Sequence, residues 1–170
     1  MVRRVEVVPH DPEWKKRYEK EASNVRSIFK KEILAIYHIG STAIPEIKAK
    51  PIIDILVEVY NIEKIDEFNK DMIEQGYIPK GESGIPKRRL FIKGSEDFRR
   101  SHVHVFQKGD SEITRHLKFR DYMITHPKEA QEYSRLKEDL ARENPDNIDG
   151  YIEGKDAFIK NIDKKARTWK

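Results

Sequence analysis

The run of branched apolar residues from Ile52 to Val59 is the feature that most constrains the fold, because it carries two carboxylates, Asp54 and Glu58. Residues two apart share a face of a β-strand, so the two acids lie on one side with Leu56 between them. Burying an unpaired carboxylate costs free energy, so Asp54, in mid-strand, is expected to serve a site. The alternative is a half-exposed strand whose acids pair with Lys or Arg, and we favour it for Glu58, near the strand end.

A turn at Gly40-Ser41 precedes this run and ends an apolar strand, Ile33 to Ile39. Backbone N–H groups in such a turn can bind phosphate, and Asp54 on the next strand can hold a divalent cation that bridges phosphates. His38 lies beside the same turn. The pattern therefore predicts a site for a nucleotide and a metal ion.

The length and composition fit one domain over residues 1–170. The net charge is +4, and Lys and Glu are interleaved, which indicates a charged soluble surface rather than a nucleic-acid partner. The chain has no cysteine, no run of membrane-spanning length and no signal-peptide core, which predicts a cytoplasmic protein without a membrane partner.

Hydrophobic periodicity predicts an α+β fold, with a small mixed β-sheet in the first two-thirds and packed helices. Asp11 and Pro12 open the first helix, and Pro127 and Pro145 divide the helical C-terminal third into about three helices. The principal predicted strands are Met1–Val8 (an edge strand), Ile33–Ile39, Pro51–Val59, Arg88–Lys93 and Ser101–Gln107, the last two joined by a turn at Gly94–Asp97.

Two histidines alternate with valines in the strand Ser101–Gln107, so His102 and His104 share one face. Two imidazoles at this spacing can share a metal ion or a phosphate, and a purely structural pair is the alternative.

Arginine and lysine residues surround this strand. Arg88, Arg89 and Lys93 are candidate anion clamps, although scattered basic residues are also expected in a chain with 34 Lys and Arg. Two helical pairs, His116 with Arg120 and Tyr151 with Lys155, are each four residues apart and could cover the cleft. For both pairs we favour a simple division into surface and core residues.

Several segments together resemble one protein family, the GrpB family. They are Pro9 to Trp14, His38 to Pro45, Ala49 to Asp54, Arg88 to Phe91, His102 to Val105 and His116 to Tyr122. The resemblance runs over nearly the whole chain and in the same order.

This resemblance implies the nucleotidyltransferase-like (polymerase-β-like) fold, and a link to dephospho-coenzyme A kinase, to which the family is fused in some organisms. It also implies that Gly40 and Ser41 hold a triphosphate and that Asp54 binds metal. The sequence departs from the superfamily pattern at Leu56, where a second carboxylate is expected, and the strand His102–Phe106 has no third one. His102, His104 or Glu58 would have to replace them.

Two functions follow as hypotheses. The first is a metal-dependent nucleotidyl- or phosphoryl-transferase that uses Mg²⁺ or Mn²⁺, and the second is a module that binds a nucleotide or coenzyme A metabolite beside a partner enzyme. The candidate catalytic residues are Asp54, His102 and His104, and these three, with Glu58 as a further candidate, are the candidate metal ligands. The candidate nucleotide- and phosphate-binding residues are His38, Gly40, Ser41, Thr42, Lys50, Arg88, Arg89 and Lys93.

Overall fold

The computed structural model describes residues 4–95 and 99–169, and these residues form a mixed five-stranded sheet with packed helices. The strands are β1 (Ile33–Ile39), β2 (Ile53–Val59), β3 (Tyr77–Pro79), β4 (Arg89–Gly94) and β5 (Arg99–Gln107). The α-helices are α1 (Glu13–Phe29), α2 (Asn69–Glu74), α3 (Ser111–Thr125), α4 (Pro127–Glu143) and α5 (Ile148–Thr168). The 3₁₀ segments are Lys30–Glu32, Ser41–Ala43 and Ile62–Phe68. The mixed α+β architecture and the three C-terminal helices confirm the prediction.

The sheet has the order β1-β2-β5-β4-β3, and its central pair, β2 with β5, is parallel. The other neighbouring strands run antiparallel. The β2–β5 register places Asp54 beside His102 and Leu56 beside His104. Residues about 50 apart in the sequence therefore meet at the middle of the sheet.

Alternation along β2 divides the core between the two faces of the sheet, as the sequence predicts. Ile53, Ile55, Val57 and Val59 are buried in a cluster that includes Trp14, Val25 and Phe29 of α1. On the opposite face, Leu56 is fully buried in a smaller cluster with Ile39, Phe106 and Ile113 of α3. Asp54 therefore lies on the face that the C-terminal helices cover.

The start of the described chain differs from the prediction. Among the described residues, the predicted edge strand is reduced to one isolated bridge between Val8 and Ala49. Residues 1–3 of that segment, and residues 96–97 of the predicted turn, lie outside the described residues. Asp11 does cap the first helix: its side chain accepts the Glu13 N–H at 2.9 Å, and the helix begins at Glu13, one residue later than predicted.

Helices α4 and α5 pack against the loop that follows the Gly40-Ser41 turn, since Ile44 and Ile47 share a buried cluster with Tyr133 and Ile162. The Lys48 N–H donates to Ser134 Oγ at 2.8 Å, and Gln131 Nε2 donates to the Glu46 carbonyl at 3.0 Å. These bonds bring the helical third over the same end of the sheet as Asp54. Within residues 4–95 and 99–169, no helix is both long and apolar enough to cross a membrane.

Candidate functional site

The Gly40-Ser41 turn lies directly against Asp54. Gly40 has φ 74° and ψ −174°, a backbone conformation that is essentially restricted to glycine. A Cβ atom at Gly40 would lie 2.7 Å from Asp54 Oδ2, closer than real Cβ contacts. Glycine therefore permits both the turn and the close approach of the backbone to the carboxylate.

Two histidines of β5 approach one oxygen of Asp54. His104 Nε2 lies 3.0 Å from Asp54 Oδ1, and His102 Nδ1 lies 3.3 Å from the same atom. The possible ligand atoms of the three residues all lie within 4.8 Å of one another. The structure thus brings together the three main metal candidates of the sequence.

Arginines stand behind both imidazoles and determine the direction of these hydrogen bonds. Arg88 Nη1 lies 3.3 Å from His104 Nδ1, and Arg99 Nη1 lies 3.4 Å from His102 Nε2. A guanidinium group can only donate, so the far nitrogen of each ring accepts and the near nitrogen carries the N–H. Both histidines therefore donate to Asp54 Oδ1.

These donors keep Asp54 ionised. Burial alone would raise the pKa of the Asp54 carboxyl, but hydrogen bonds from His102 and His104 outweigh burial and hold that pKa well below its usual value. Burial also lowers the pKa of His102, which favours its neutral form. Both histidines donate to Oδ1, whereas Oδ2 lies on the side of Gly40.

A cavity of about 130 Å³ opens between Asp54 and the C-terminal helices. Its wall on the sheet side includes Ser41, Asp54 and His102. Its other wall is basic and aromatic, and comprises Lys50, Lys137, Tyr151 and Lys155. Among the predicted phosphate-binding residues, Ser41, Thr42 and Lys50 line this cavity.

The basic residues of β4 face the other way, which corrects the expectation that Arg89 and Lys93 clamp an anion here. Leu90 and Ile92 pair with the two histidine positions of β5, so Arg89 and Lys93, which precede and follow this pair along β4, lie on the opposite face. Arg89 Nε donates to Asp66 at 2.7 Å, and Lys93 Nζ donates to Glu21 at 2.9 Å. Strand alternation separates neighbours that the sequence-based prediction grouped together.

Arg88 does face the histidine side, but as a buried support. Its Nε and Nη2 donate to the carbonyls of Glu82 and Ser83, at 3.1 and 2.8 Å, and its Nη1 faces His104. The side chain thereby fixes the loop before β4 and one imidazole of the site.

His38 and Glu58 lie beside the cluster rather than in it. His38 Nε2 is 2.8 Å from Thr42 Oγ1, and its ring stacks on Tyr18 with centroids 4.7 Å apart. Burial lowers the pKa of His38 to about 4, so the ring supports the turn in its neutral form. Glu58 pairs in register with Phe106, four residues along β2 from Asp54, and is outside the cluster that could hold a metal ion.

The sequence reasoning missed Lys137. It extends the buried stripe Ala130, Tyr133 and Ser134 at helical spacing, and a lysine at a core position of a helix was the available signal. Tyr151 and Lys155 do line the cavity, whereas the sequence-based interpretation that we favoured divided them into surface and core residues. His116 is not among the residues that line this cavity; its ring lies 6.0 Å from that of His104, and burial lowers its pKa to about 3.

The family model for GrpB protein matches residues 4–165. The chain belongs to the GrpB family. A crystal structure of conserved protein GrpB from Enterococcus faecalis is 44% identical, with a TM-score of 0.91, and the alignment covers 95% of this chain and 96% of that one. The resemblance seen in the sequence is therefore confirmed at the level of family and fold.

Two curated relatives are longer than this chain. UPF0157 protein YqkA of Bacillus subtilis is 46% identical over 168 residues, which are 99% of this chain and 49% of YqkA. A dephospho-CoA kinase of Mycolicibacterium paratuberculosis is 23% identical over 190 residues, which cover 97% of this chain and 46% of the kinase. This chain thus spans about half the length of each of these relatives.

Proposed function

We propose that this GrpB-family protein is a metal-dependent transferase that moves a nucleotidyl or phosphoryl group from a nucleoside triphosphate to an acceptor. The observation that carries the proposal is the position of Asp54, an ionised carboxylate between the Gly40-Ser41 turn and a lysine-lined cavity. An oxygen ligand for a hard cation thus adjoins groups suited to phosphate. The family resemblance to nucleotidyltransferases points in the same direction.

Asp54 is the residue that would hold Mg²⁺ or Mn²⁺, since its Oδ2 is on the side of Gly40 and away from both histidine contacts. When bound, the cation would neutralise phosphate charge and polarise the phosphoryl group. A histidine that ligates metal usually donates its other N–H to an acceptor, whereas the far nitrogens of His102 and His104 face arginines. We therefore assign the two histidines the role of positioning Asp54, in place of the expected ligand role.

Calorimetric titration of Mn²⁺ and Mg²⁺ tests the role of Asp54. Asp54→Asn should lose at least about tenfold in affinity, because the charged ligand oxygen is gone. Glu58→Gln, on the same strand and face but outside the cluster, is the matched control and should bind as the wild type does. If Asp54→Asn binds these ions with the same affinity as the wild type, the metal does not bind at this site.

His104→Gln distinguishes the two roles of the histidine. A glutamine amide can still donate to Asp54 but replaces the imidazole nitrogen as a ligand only poorly. A positioning role predicts affinity for Mn²⁺ within a few-fold of wild type, while loss of most binding would make His104 a ligand. Metal-dependent release of pyrophosphate or phosphate from nucleoside triphosphates then tests turnover itself.

A second function, binding without turnover, is favoured by one observation. Leu56 occupies the position two residues after Asp54, and it is fully buried against Ile39 and Phe106. In this case the chain would hold a nucleotide or coenzyme A metabolite beside a partner enzyme, and the dephospho-CoA kinase relatives suggest such a setting. A thermal-shift screen of nucleotides and coenzyme A fragments, each with and without metal, separates the two: this function predicts metal-independent stabilisation and no product.

A further inference from the structure

Lys137 is a buried amine with nothing to bind in the described part of the protein. Its side chain, on α4, is 1% exposed and lines the cavity, yet no described hydrogen-bond acceptor lies within reach of Nζ. Its Nζ lies over the ring of Tyr133, 4.5 Å from the ring centroid. Lysine is almost never fully buried unless it is paired, so this position implies a partner that the chain does not supply.

A second buried polar group points to the same space. Tyr151 of α5 is fully buried and lines the cavity, and no described residue hydrogen-bonds its hydroxyl. Lys155, one turn further along α5, places its Nζ 4.6 Å from the Tyr151 ring. Two helices thus direct two lysine amines and a hydroxyl toward one cavity.

Burial opposes the charged form of both lysines in this cavity. Burial and the charges of Lys155 and Lys50 hold the pKa of Lys137 well below its usual value, and burial lowers that of Lys155 to about 8. Asp54 is the acidic residue in the lining, and its Oδ1 is engaged by the histidines. A bound anion would favour the charged form of both lysines and raise their pKa values.

We infer that this cavity is a binding site for a terminal phosphate group, with Lys137, Lys155 and Tyr151 as its binding residues. In the bound state the two lysines, as ammonium groups, and the hydroxyl supply donors to a phosphate, which has only acceptor oxygens when fully ionised. The cavity, of about 130 Å³, is smaller than the 300–1,000 Å³ typical of pockets for drug-sized ligands. The cavity therefore accommodates one phosphate group, and the rest of the molecule that carries this group lies outside the cavity.

This inference deepens the proposed function, because it assigns phosphate binding to residues of the helical third rather than to β4. Its relevance to group transfer rests on the proposed function. It needs no metal ion. The ligand that carries the phosphate is either a nucleoside triphosphate or a coenzyme A-type metabolite with a phosphate monoester, such as a phosphopantetheine compound, since both present a terminal phosphate group.

Calorimetric titration with orthophosphate, in the presence of a metal chelator, tests the site directly. Lys137→Met should weaken binding at least about tenfold, because a charged donor is lost. Tyr151→Phe should weaken it about two- to tenfold, as expected for one hydrogen bond. Lys160→Gln, which removes an exposed ammonium from the same helix as Lys155, should leave the affinity within about twofold.

The phosphate-free stability of Lys137→Met gives an independent readout. Replacing an unpaired buried amine with an apolar side chain of similar volume should raise the melting temperature, while binding is lost. Lys155→Gln provides a second variant if Lys137→Met does not fold. Wild-type affinity in both lysine variants, or no saturable phosphate binding by the wild type, would overturn the inference.

Asp54→Asn separates this inference from the proposed function. That variant should keep or strengthen phosphate binding, because it removes a negative charge from the cavity lining. If phosphate binds but metal does not, the transferase proposal fails and the phosphate site stands. Competition of orthophosphate with ATP or with a phosphopantetheine compound identifies the source, and failure of both to compete would contradict a terminal-phosphate site.

Discussion

Replacing Gly40 with alanine tests how the turn and the carboxylate depend on each other. The new methyl group would lie 2.7 Å from Asp54 Oδ2 and 3.1 Å from Asp54 Cβ, so either the turn or the carboxylate must move. The backbone at φ 74° adds strain of about 1–3 kcal/mol for any residue with a Cβ. For a chain of 170 residues, this corresponds to a melting temperature lower by roughly 2–12 °C.

The second effect of Gly40→Ala is on the site itself. Displacing the carboxylate would disrupt its 3.0 Å contact with His104, and changes to the partners that orient a ligand usually cost about 10–100-fold in metal affinity. We therefore expect Mn²⁺ binding to weaken by that factor, measured by calorimetry at a temperature where the variant is fully folded.

Gly109→Ala is the matched control for this experiment. Gly109 also has a positive φ, of 87°, but no atom lies within 4 Å of a Cβ built there. It should lose stability through the backbone alone and bind Mn²⁺ as the wild type does. If Gly40→Ala lowers stability no more than Gly109→Ala and leaves Mn²⁺ affinity unchanged, the close approach to Asp54 has no role in the site.

Two further predictions concern groups around the histidines. The pKa of His116 is about 3 in the folded protein and about 6.5 when unfolded, so the unfolded chain binds more protons between these values, and stability should fall by about 2 kcal/mol from pH 7 to pH 5. Urea unfolding at both pH values should show that His116→Gln lacks this contribution to the pH dependence of stability. If the free energy of unfolding depends on pH in the same way in His116→Gln and in the wild type, the prediction is refuted. Arg88→Lys should cost about 1–3 kcal/mol of stability, because the carbonyls of Glu82 and Ser83 lose donors. It should weaken Mn²⁺ binding by no more than a few-fold, because Arg88 acts on Asp54 only through His104, and loss of most binding would contradict this indirect role.

The sequence predicted the structure well wherever the spacing of apolar residues along one strand or helix determines which face is buried. Alternation in Ile52 to Val59 correctly separated the Asp54 face from the buried Ile and Val face, and helical spacing with Pro127 and Pro145 correctly indicated three C-terminal helices. The prediction that Arg88 and Arg89 bind the same anion was wrong, because successive residues of a strand point to opposite faces of the sheet. The face of each basic residue mattered more than its proximity in sequence.

Local patterns could single out Lys137 and Lys155 separately, but they could not show that the two lysines meet at one cavity. That meeting depends on α4 and α5 packing against the loop that carries Ile44 and Ile47, a tertiary contact with no local signature. The role of the histidines was equally hidden. It depends on Arg88 and Arg99 at their far nitrogens, which fix the direction of each hydrogen bond.

The parallel pairing of β2 with β5 also sets the order in which the site can form during synthesis. Asp54 leaves the ribosome about 50 residues before His104, and the intervening chain must supply β3 and β4 before β5 arrives to complete the sheet. Until then, Asp54 lacks both of its donors, and the lysines of α4 and α5 follow later still. A nascent chain that ends before residue 99 therefore lacks the histidine donors and the cavity lysines, so the complete set of binding groups exists only once the helical third has been made.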